Sequence, residues 1–144
     1  MFQHILIATD GSDVSDRAAK QAIDLASRLG ARVLALHVVP ALPAYAYFAQ
    51  GIEGAIPTPD EASREDAECL ERVQRLAKAH GVPCELRSVV DGRPYCEIVA
   101  IAEREGCDLI VMGSHGRQGL DRLLLGSETH KVLLSTRVPV LVCQ

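Results

Sequence analysis

What most narrows the fold of this chain is a repeated handover. A short, almost unbroken apolar run is followed by a stretch with apolar residues at helical spacing, then a glycine, then the next run. Ile5 to Ala8, Val33 to Val39, Leu109 to Met112 and Val138 to Val142 are nearly continuous in Val, Ile, Leu and Ala. Strands covered on both faces read this way, because neither face meets water. Between Cys84 and Val90 the pattern changes to alternation, with Glu85 and Arg87 flanking Leu86, as expected of a half-exposed strand near a sheet edge.

Four helical stretches separate these runs. Ala18, Ala22, Ala26 and Leu29 form one stripe after the cap residues Ser12 and Asp13, closed by Gly30. Asp66, Leu70, Val73, Ala77 and His80 form a second, stopped by Gly81 and Pro83. A third starts near Pro94 and carries Ile98, Val99 and Ala102 before Gly106. The fourth covers roughly Ser127 to Ser135, with Val132 and Leu133 expected to face inward. Strictly alternating strands and helices predict an α/β fold, a doubly wound five-stranded parallel sheet in the order 3-2-1-4-5 with helices on both faces. At 144 residues the chain fits a single domain, 1–144.

Composition removes several classes of function. Hydrophobic residues make up 48% of the chain, which excludes intrinsic disorder, and the formal net charge of −4 gives no sign of a nucleic-acid or membrane partner. The uncharged stretch from Val33 to Ile52 has the length of a membrane span, but Pro40 and Pro43 interrupt it, and a buried strand followed by a loop explains it better. Five cysteines, odd in number and without a C-x-x-C pair, read as reduced thiols, and MFQHILIATDGSD does not look like a signal peptide; a cytoplasmic protein is expected. The long connection from Pro40 to about Asp60 holds Tyr45, Tyr47 and Phe48. It reads equally as a lid or partner surface and as a loop whose aromatics pack on the sheet.

The densest group of chemically useful residues is GSHGRQGLDRLLLGS, Gly113 to Ser127. It begins where the fourth strand ends and finishes at the start of the last helix. Glycines admit backbone N–H groups close to an anion, and a helix N-terminus adds unpaired donors with partial positive charge. Phosphate suits such a loop. Arg117 and Arg122 add charge, and His115, between two glycines, is placed to donate to a phosphate oxygen. A single glycine here would be explained by strand-to-helix packing, but four glycines in the segment favour anion binding. Neither G-x-x-x-x-G-K-[ST] nor G-x-G-x-x-G occurs. Asp10, ending the first strand, reads alone as a helix cap. In a 3-2-1-4-5 sheet, however, winding reverses between strands one and four, so Asp10 and Gly113 share a crevice that His37, Val38 and Val39 border.

The spacing Gly-x2-Gly-x9-Gly-Ser, met by Gly113, Gly116, Gly126 and Ser127, resembles the ATP-binding signature of the universal stress protein family. HILIATDGSDVSDRAAKQAIDLA and KVLLSTRVPVLVC are similar to that family's beginning and ending. The resemblance implies a Rossmann-like domain that binds ATP, with the four motif residues on the phosphates. It places Asp10 at the nucleoside and the Val38 backbone at adenine, with Ala8, Thr9 and Met112 lining the pocket. Glu128, next after the motif, either points to solvent or helps to hold Mg²⁺. His4, His37, His80 and His130 read as ordinary packing or surface residues, and no metal site is expected. Ser114 and Ser127 lack the setting of a nucleophile, and no catalytic base is evident. The expectation is a nucleotide-dependent regulatory module of the stress response. A slow ATPase or phosphotransfer enzyme and a nucleotide-independent dimeric interaction protein are the alternatives. Finally, Val138, Val140, Leu141 and Val142 form an apolar strand at a sheet edge, which predicts a homodimer through that strand, as the resemblance also implies.

Overall fold

The computed structural model describes residues 1–41, 59–115 and 125–144. In chain order the elements are β1 (His4–Ala8), α1 (Asp13–Leu29), β2 (Arg32–Pro40), α2 (Pro59–Ala79), β3 (Cys84–Asp91), α3 (Pro94–Arg104), β4 (Leu109–Gly113), α4 (Ser127–Ser135) and β5 (Val140–Cys143). All four strand pairs are parallel and the sheet runs β3-β2-β1-β4-β5. This is the Rossmann-like α/β order expected from the alternation of runs.

The local reasons for each element are visible in its ends. Ser12 caps α1 by accepting from the Ser15 N–H, and Gly30 closes it in the left-handed region at φ 66°. Gly81 and Gly106 end α2 and α3 at φ 66° and 69°. In each case the residue after the glycine donates back into the helix: Ala31 to Ala26, Val82 to Ala77 and Cys107 to Ala102. A side chain at these glycines would strain that closing turn.

The sheet divides the interior into two cores, since successive residues on a strand point to opposite faces. Ile5 and Ile7 of β1, Val33 and Ala35 of β2 and Val111 of β4 meet α1 and α2 on one side. Leu6, Leu34, Leu36, Ile110 and Met112 meet α3 and α4 on the other. The alanine stripe of α1, Ala18, Ala22 and Ala26, is fully buried and lets that helix lie close to β1 and β4. Asp108 joins the leading ends of the central strands, its carboxylate accepting from the N–H groups of Gln3 and His4 at 2.8 and 3.1 Å.

Three expectations need correction. Leu133 does not face inward: it is 42% exposed, because the nine-residue α4, packed mainly against α3, buries only Val132 and Thr129, three residues apart on a single narrow face. The last strand starts at Val140 rather than Val138. Pro139 has no N–H to give to the ladder, although its carbonyl accepts from Ile110 at 2.9 Å, so Val138 precedes the strand as a half-buried residue. Leu29, last on the α1 stripe, is also substantially exposed. No helix among the described residues is long and apolar enough to cross a membrane.

Candidate functional site

At the carboxyl end of the sheet, where β1 and β4 diverge, lies a cavity of about 620 Å³. That is ample for a small organic ligand. Its position follows from topology, because the connections leaving β1 and β4 turn to opposite faces and open a crevice between them. Ala8, Leu36, Val38, Ile98 and Met112 give it one apolar wall. Thr9, Asp10, Ser15, His37 and Asp66 give it an opposite, polar one. His115, Ser127, Glu128 and Thr129 occupy the end where α4 begins. Ala8, Thr9, Asp10, Val38, Met112, Gly113, His115 and Ser127, far apart in the chain, line this one cavity together. Gly116, Arg117 and Arg122 lie outside the described residues, as do Tyr45, Tyr47 and Phe48.

The polar wall is built around the end of β1. Thr9 donates its N–H to the Leu36 carbonyl at 2.9 Å, and its hydroxyl lies 3.2 Å from that of Ser15. Asp10 bends the chain into α1 by accepting from the Ser12 N–H at 2.9 Å, and Gly11 follows at φ 78°. Asp10 therefore lines the crevice without capping α1, whose cap is Ser12: its carboxylate closes the turn that precedes the helix.

At the other end the two described limbs of the glycine segment are fastened together. Gly126 donates to the Ser114 carbonyl at 2.6 Å, Ser114 donates to the Cys143 carbonyl at 2.7 Å, and the Thr129 hydroxyl donates to the Gly113 carbonyl at 2.8 Å. The first-turn amides of Ser127, Glu128 and Thr129 have no carbonyl one turn back within their helix, and they sit at the rim of the cavity. Both described motif glycines also have packing reasons. A Cβ on Gly113 would stand 2.6 Å from Val14 Cγ1, and one on Gly126 would stand 2.9 Å from His115 Cα. The His115 ring nitrogen Nδ1 lies 3.0 Å from the Ser114 hydroxyl.

Glu128 neither points idly to solvent nor stands bare beside the glycine segment. One carboxylate oxygen accepts from the Tyr95 N–H at 2.9 Å and the other lies 3.5 Å from Lys131 Nζ. It supplies the side-chain cap that Arg93, the residue at the head of α3, does not. Lys131 in turn sits over the Tyr95 ring at 5.4 Å. No group of three or more His, Cys, Asp or Glu side chains among the described residues is arranged to hold a metal ion.

The sequence reading put His37 at the border of the crevice but took its ring for ordinary packing, and so missed its pairing with Asp66. His37, 3% exposed, places Nε2 at 2.6 Å from Asp66 and Nδ1 at 2.8 Å from the Thr9 carbonyl. Burial works against charge on this ring, but the neighbouring Cys69 side chain, the Thr9 carbonyl and the Asp66 carboxylate overcome it and raise its pKa to about 9. No local motif announces a pair drawn from a strand and a later helix. One signal was present: Asp66 heads the apolar stripe of α2, and a carboxylate on a buried face must meet a partner.

A doubly wound parallel α/β protein with a ligand-sized cavity at its switch point, flanked by a glycine-rich segment and a helix N-terminus, belongs to the nucleotide-binding type of architecture. Comparison with known proteins makes this specific: a model described as "Universal stress protein family" matches residues 1–144. Universal stress protein MJ0531 of Methanocaldococcus jannaschii is 40% identical over 143 residues, covering 99% of this chain and 82% of that protein. The chain belongs to the universal stress protein family. Among solved structures, protein MJ0577 superposes with a TM-score of 0.81 at 32% identity, covering 99% of this chain and 96% of its own. A universal stress protein of Archaeoglobus fulgidus in complex with dAMP gives 0.71 at 25% identity, covering 100% and 98%. A universal stress protein in complex with cAMP gives 0.73 at 26%, covering 99% and 97%.

Proposed function

We propose that this protein is an ATP-binding regulatory module of the stress response. It acts in the cytoplasm as one domain, 1–144, and pairs with a second copy through its last strand. The observation that carries the reading is the two-ended cavity. An apolar slot formed by Ala8, Val38 and Met112 faces a polar wall at Thr9 and Asp10, and the glycine segment with the α4 N-terminus stands at one end. A flat base, a ribose and a chain of phosphates meet those surfaces in that order. Relatives of the same fold take adenine nucleotides, dAMP and cAMP, which supports the adenosine half of the assignment.

In this reading the Val38 backbone meets the base edge and Asp10 meets the ribose. Gly113, Gly116, Gly126, Ser127, His115 and Arg117 surround the phosphates, where backbone N–H groups and the Arg117 charge together stabilise the anion. Mg²⁺ would enter with the phosphates as their own counterion, because both oxygens of Glu128 already have partners. His115 and Ser114 engage one another at 3.0 Å. In this reading the module binds ATP without rapid turnover. Val140, Leu141 and Val142 provide the pairing edge, with Val138 just ahead of it and Leu141 38% exposed.

The test is nucleotide binding by the purified protein, with mass spectrometry of anything that copurifies. ATP at about one hundred times its dissociation constant adds roughly 2.7 kcal/mol of stability. Ser127→Asp supplies a paired control: a carboxylate in the first turn suits the helix dipole and leaves the fold intact, yet repels phosphate. Weaker ATP binding with an unchanged melting temperature is the expected result. A wild-type protein whose melting is unmoved by millimolar ATP overturns the reading in favour of a nucleotide-independent interaction protein.

A further inference from the structure

The His37 ring has both nitrogens on hydrogen-bond acceptors. The Thr9 carbonyl at Nδ1 accepts and cannot donate, and the carboxylate at Nε2 is a natural acceptor as well. Each nitrogen must therefore carry a proton for both contacts to be hydrogen bonds, which makes the ring an imidazolium. Around it stand the Thr9 carbonyl from β1, with Asp10 one residue further, and Asp66 and Cys69 from α2. From α1 the uncharged Ser15 bonds Thr9. An acidic partner and a carbonyl favour that charge, and water has almost no access to the ring.

The consequence lies one bond further on. A peptide unit is planar and trans, so its C=O and N–H point in opposite directions. Fixing the Thr9 carbonyl toward His37 fixes the whole Thr9–Asp10 peptide, with the Asp10 N–H turned away from α2. The Thr9 N–H on Leu36 and the Thr9 hydroxyl beside Ser15 hold the preceding part of the same residue. Asp10 thus leaves β1 in a direction dictated from three sides. Asp66, on the opposite side of the ring, anchors the first half of α2 to that point and itself lines the cavity.

We infer that His37 is a positioning residue: a doubly protonated ring that clamps the Thr9–Asp10 peptide to Asp66 of α2 and so sets the wall on which a nucleoside rests. The inference deepens the nucleotide reading above and rests on it for its functional half. Its structural half stands alone. With no bare nitrogen, the ring is not a base toward the ligand. It transmits: occupation of the cavity and the seating of α2 become linked through one side chain.

The experiment has one arm without ligand and one with it. In ligand-free wild type, ¹⁵N shifts of the His37 ring at pH 7.5 are expected to show two protonated nitrogens, with deprotonation centred near pH 9. Asp66→Asn keeps size and shape and removes the charge, so it should move that deprotonation to lower pH. With ATP as probe, wild-type affinity at pH 7.5 should exceed that of Asp66→Asn by about tenfold, the effect of one charge-assisted hydrogen bond. Wild-type affinity should also fall as pH rises through the His37 titration, and in Asp66→Asn that fall should begin earlier. A merely structural ion pair would lower melting temperature without giving ATP affinity this shifted pH profile. A ring with one bare nitrogen at pH 7.5 overturns the clamp. So does a folded Asp66→Asn protein that binds ATP as tightly as wild type over the same pH range. Wild type that binds no ATP at all removes the functional role along with the nucleotide reading, and is told apart because the ring's protonation is measured without ligand.

Discussion

Gly113 ends β4 and opens the glycine segment, so two physical roles compete for it. One is the approach of a phosphate to backbone; the other is the approach of α1, because a Cβ there would lie 2.6 Å from Val14 Cγ1 and 3.3 Å from the Val14 carbonyl carbon. Carbon atoms in contact prefer about 3.5 to 4.0 Å. Gly113→Ala therefore forces a displacement of about 1 Å in a valine that is 6% exposed, β-branched and stiff. Overpacking of that kind costs about 2 kcal/mol. Val14→Ala alone removes two buried methyl groups and costs about 2 kcal/mol through lost burial and a small cavity. If the two residues compete for one space, the double variant should be no less stable than Val14→Ala alone, which is a coupling of about 2 kcal/mol in a double-mutant cycle. Urea denaturation of the four proteins measures it. Gly113→Ala within about 0.5 kcal/mol of wild type, or strictly additive losses, would show that the contact is not what excludes a side chain. The same four proteins separate the two roles. If the double variant recovers ATP binding along with its packing, the glycine serves the fold; if stability recovers and binding does not, it serves the ligand.

Glu128→Gln keeps an acceptor for the Tyr95 N–H while removing a negative charge from the rim of the cavity, so ATP affinity should rise a few-fold; a clear fall, measured by calorimetry with Mg²⁺ present, would mean that the carboxylate holds the ion. Stability of the ligand-free protein should decline at both ends of the pH scale. His4 has its pKa lowered by burial and by Arg32, so it contributes stability that is complete above about 6.5 and lost as pH falls through its folded value. His37, raised to about 9, contributes stability that is complete below the ordinary histidine value and lost as pH rises through 9. A His37→Gln profile that keeps the wild-type alkaline decline would refute that assignment. Leu141→Asp places a charge on the exposed edge of β5 and should convert a dimer to a folded monomer in sedimentation at tens of micromolar; a wild-type monomer, or a dimer that survives the substitution, would remove this edge as the interface.

The fold was legible because its signals are local. Each parallel strand is a run that cannot be read as amphipathic, and Gly30, Gly81 and Gly106 stop their helices where the chain must turn left-handed. The crevice followed from strand order alone, and with it the meeting of Asp10, His37, Val38 and Gly113, while Ala8, Thr9 and Met112 came from the family resemblance. What escaped was decided by distance in space. Asp66 looked like the polar start of a helix until β2 brought His37 against it. Gly113 and Gly126 looked like openings for a ligand, and only coordinates show Val14 and His115 filling the same space. Leu133 was misplaced for a simpler reason: a short helix buries one narrow face, and hydrophobicity alone does not say which of two adjacent apolar residues occupies it.

The sheet that separates the α1–α2 core from the α3–α4 core also insulates them: among the described residues the buried apolar side chains fall into two separate clusters, one on each face. The cavity lies over the rim of that partition, with one wall drawn from each compartment. A small molecule seated there acts as a rivet through both layers. Its arrival should slow amide exchange in α2 and α3 together, although these helices stand on opposite faces of the sheet, and its departure should release both at once.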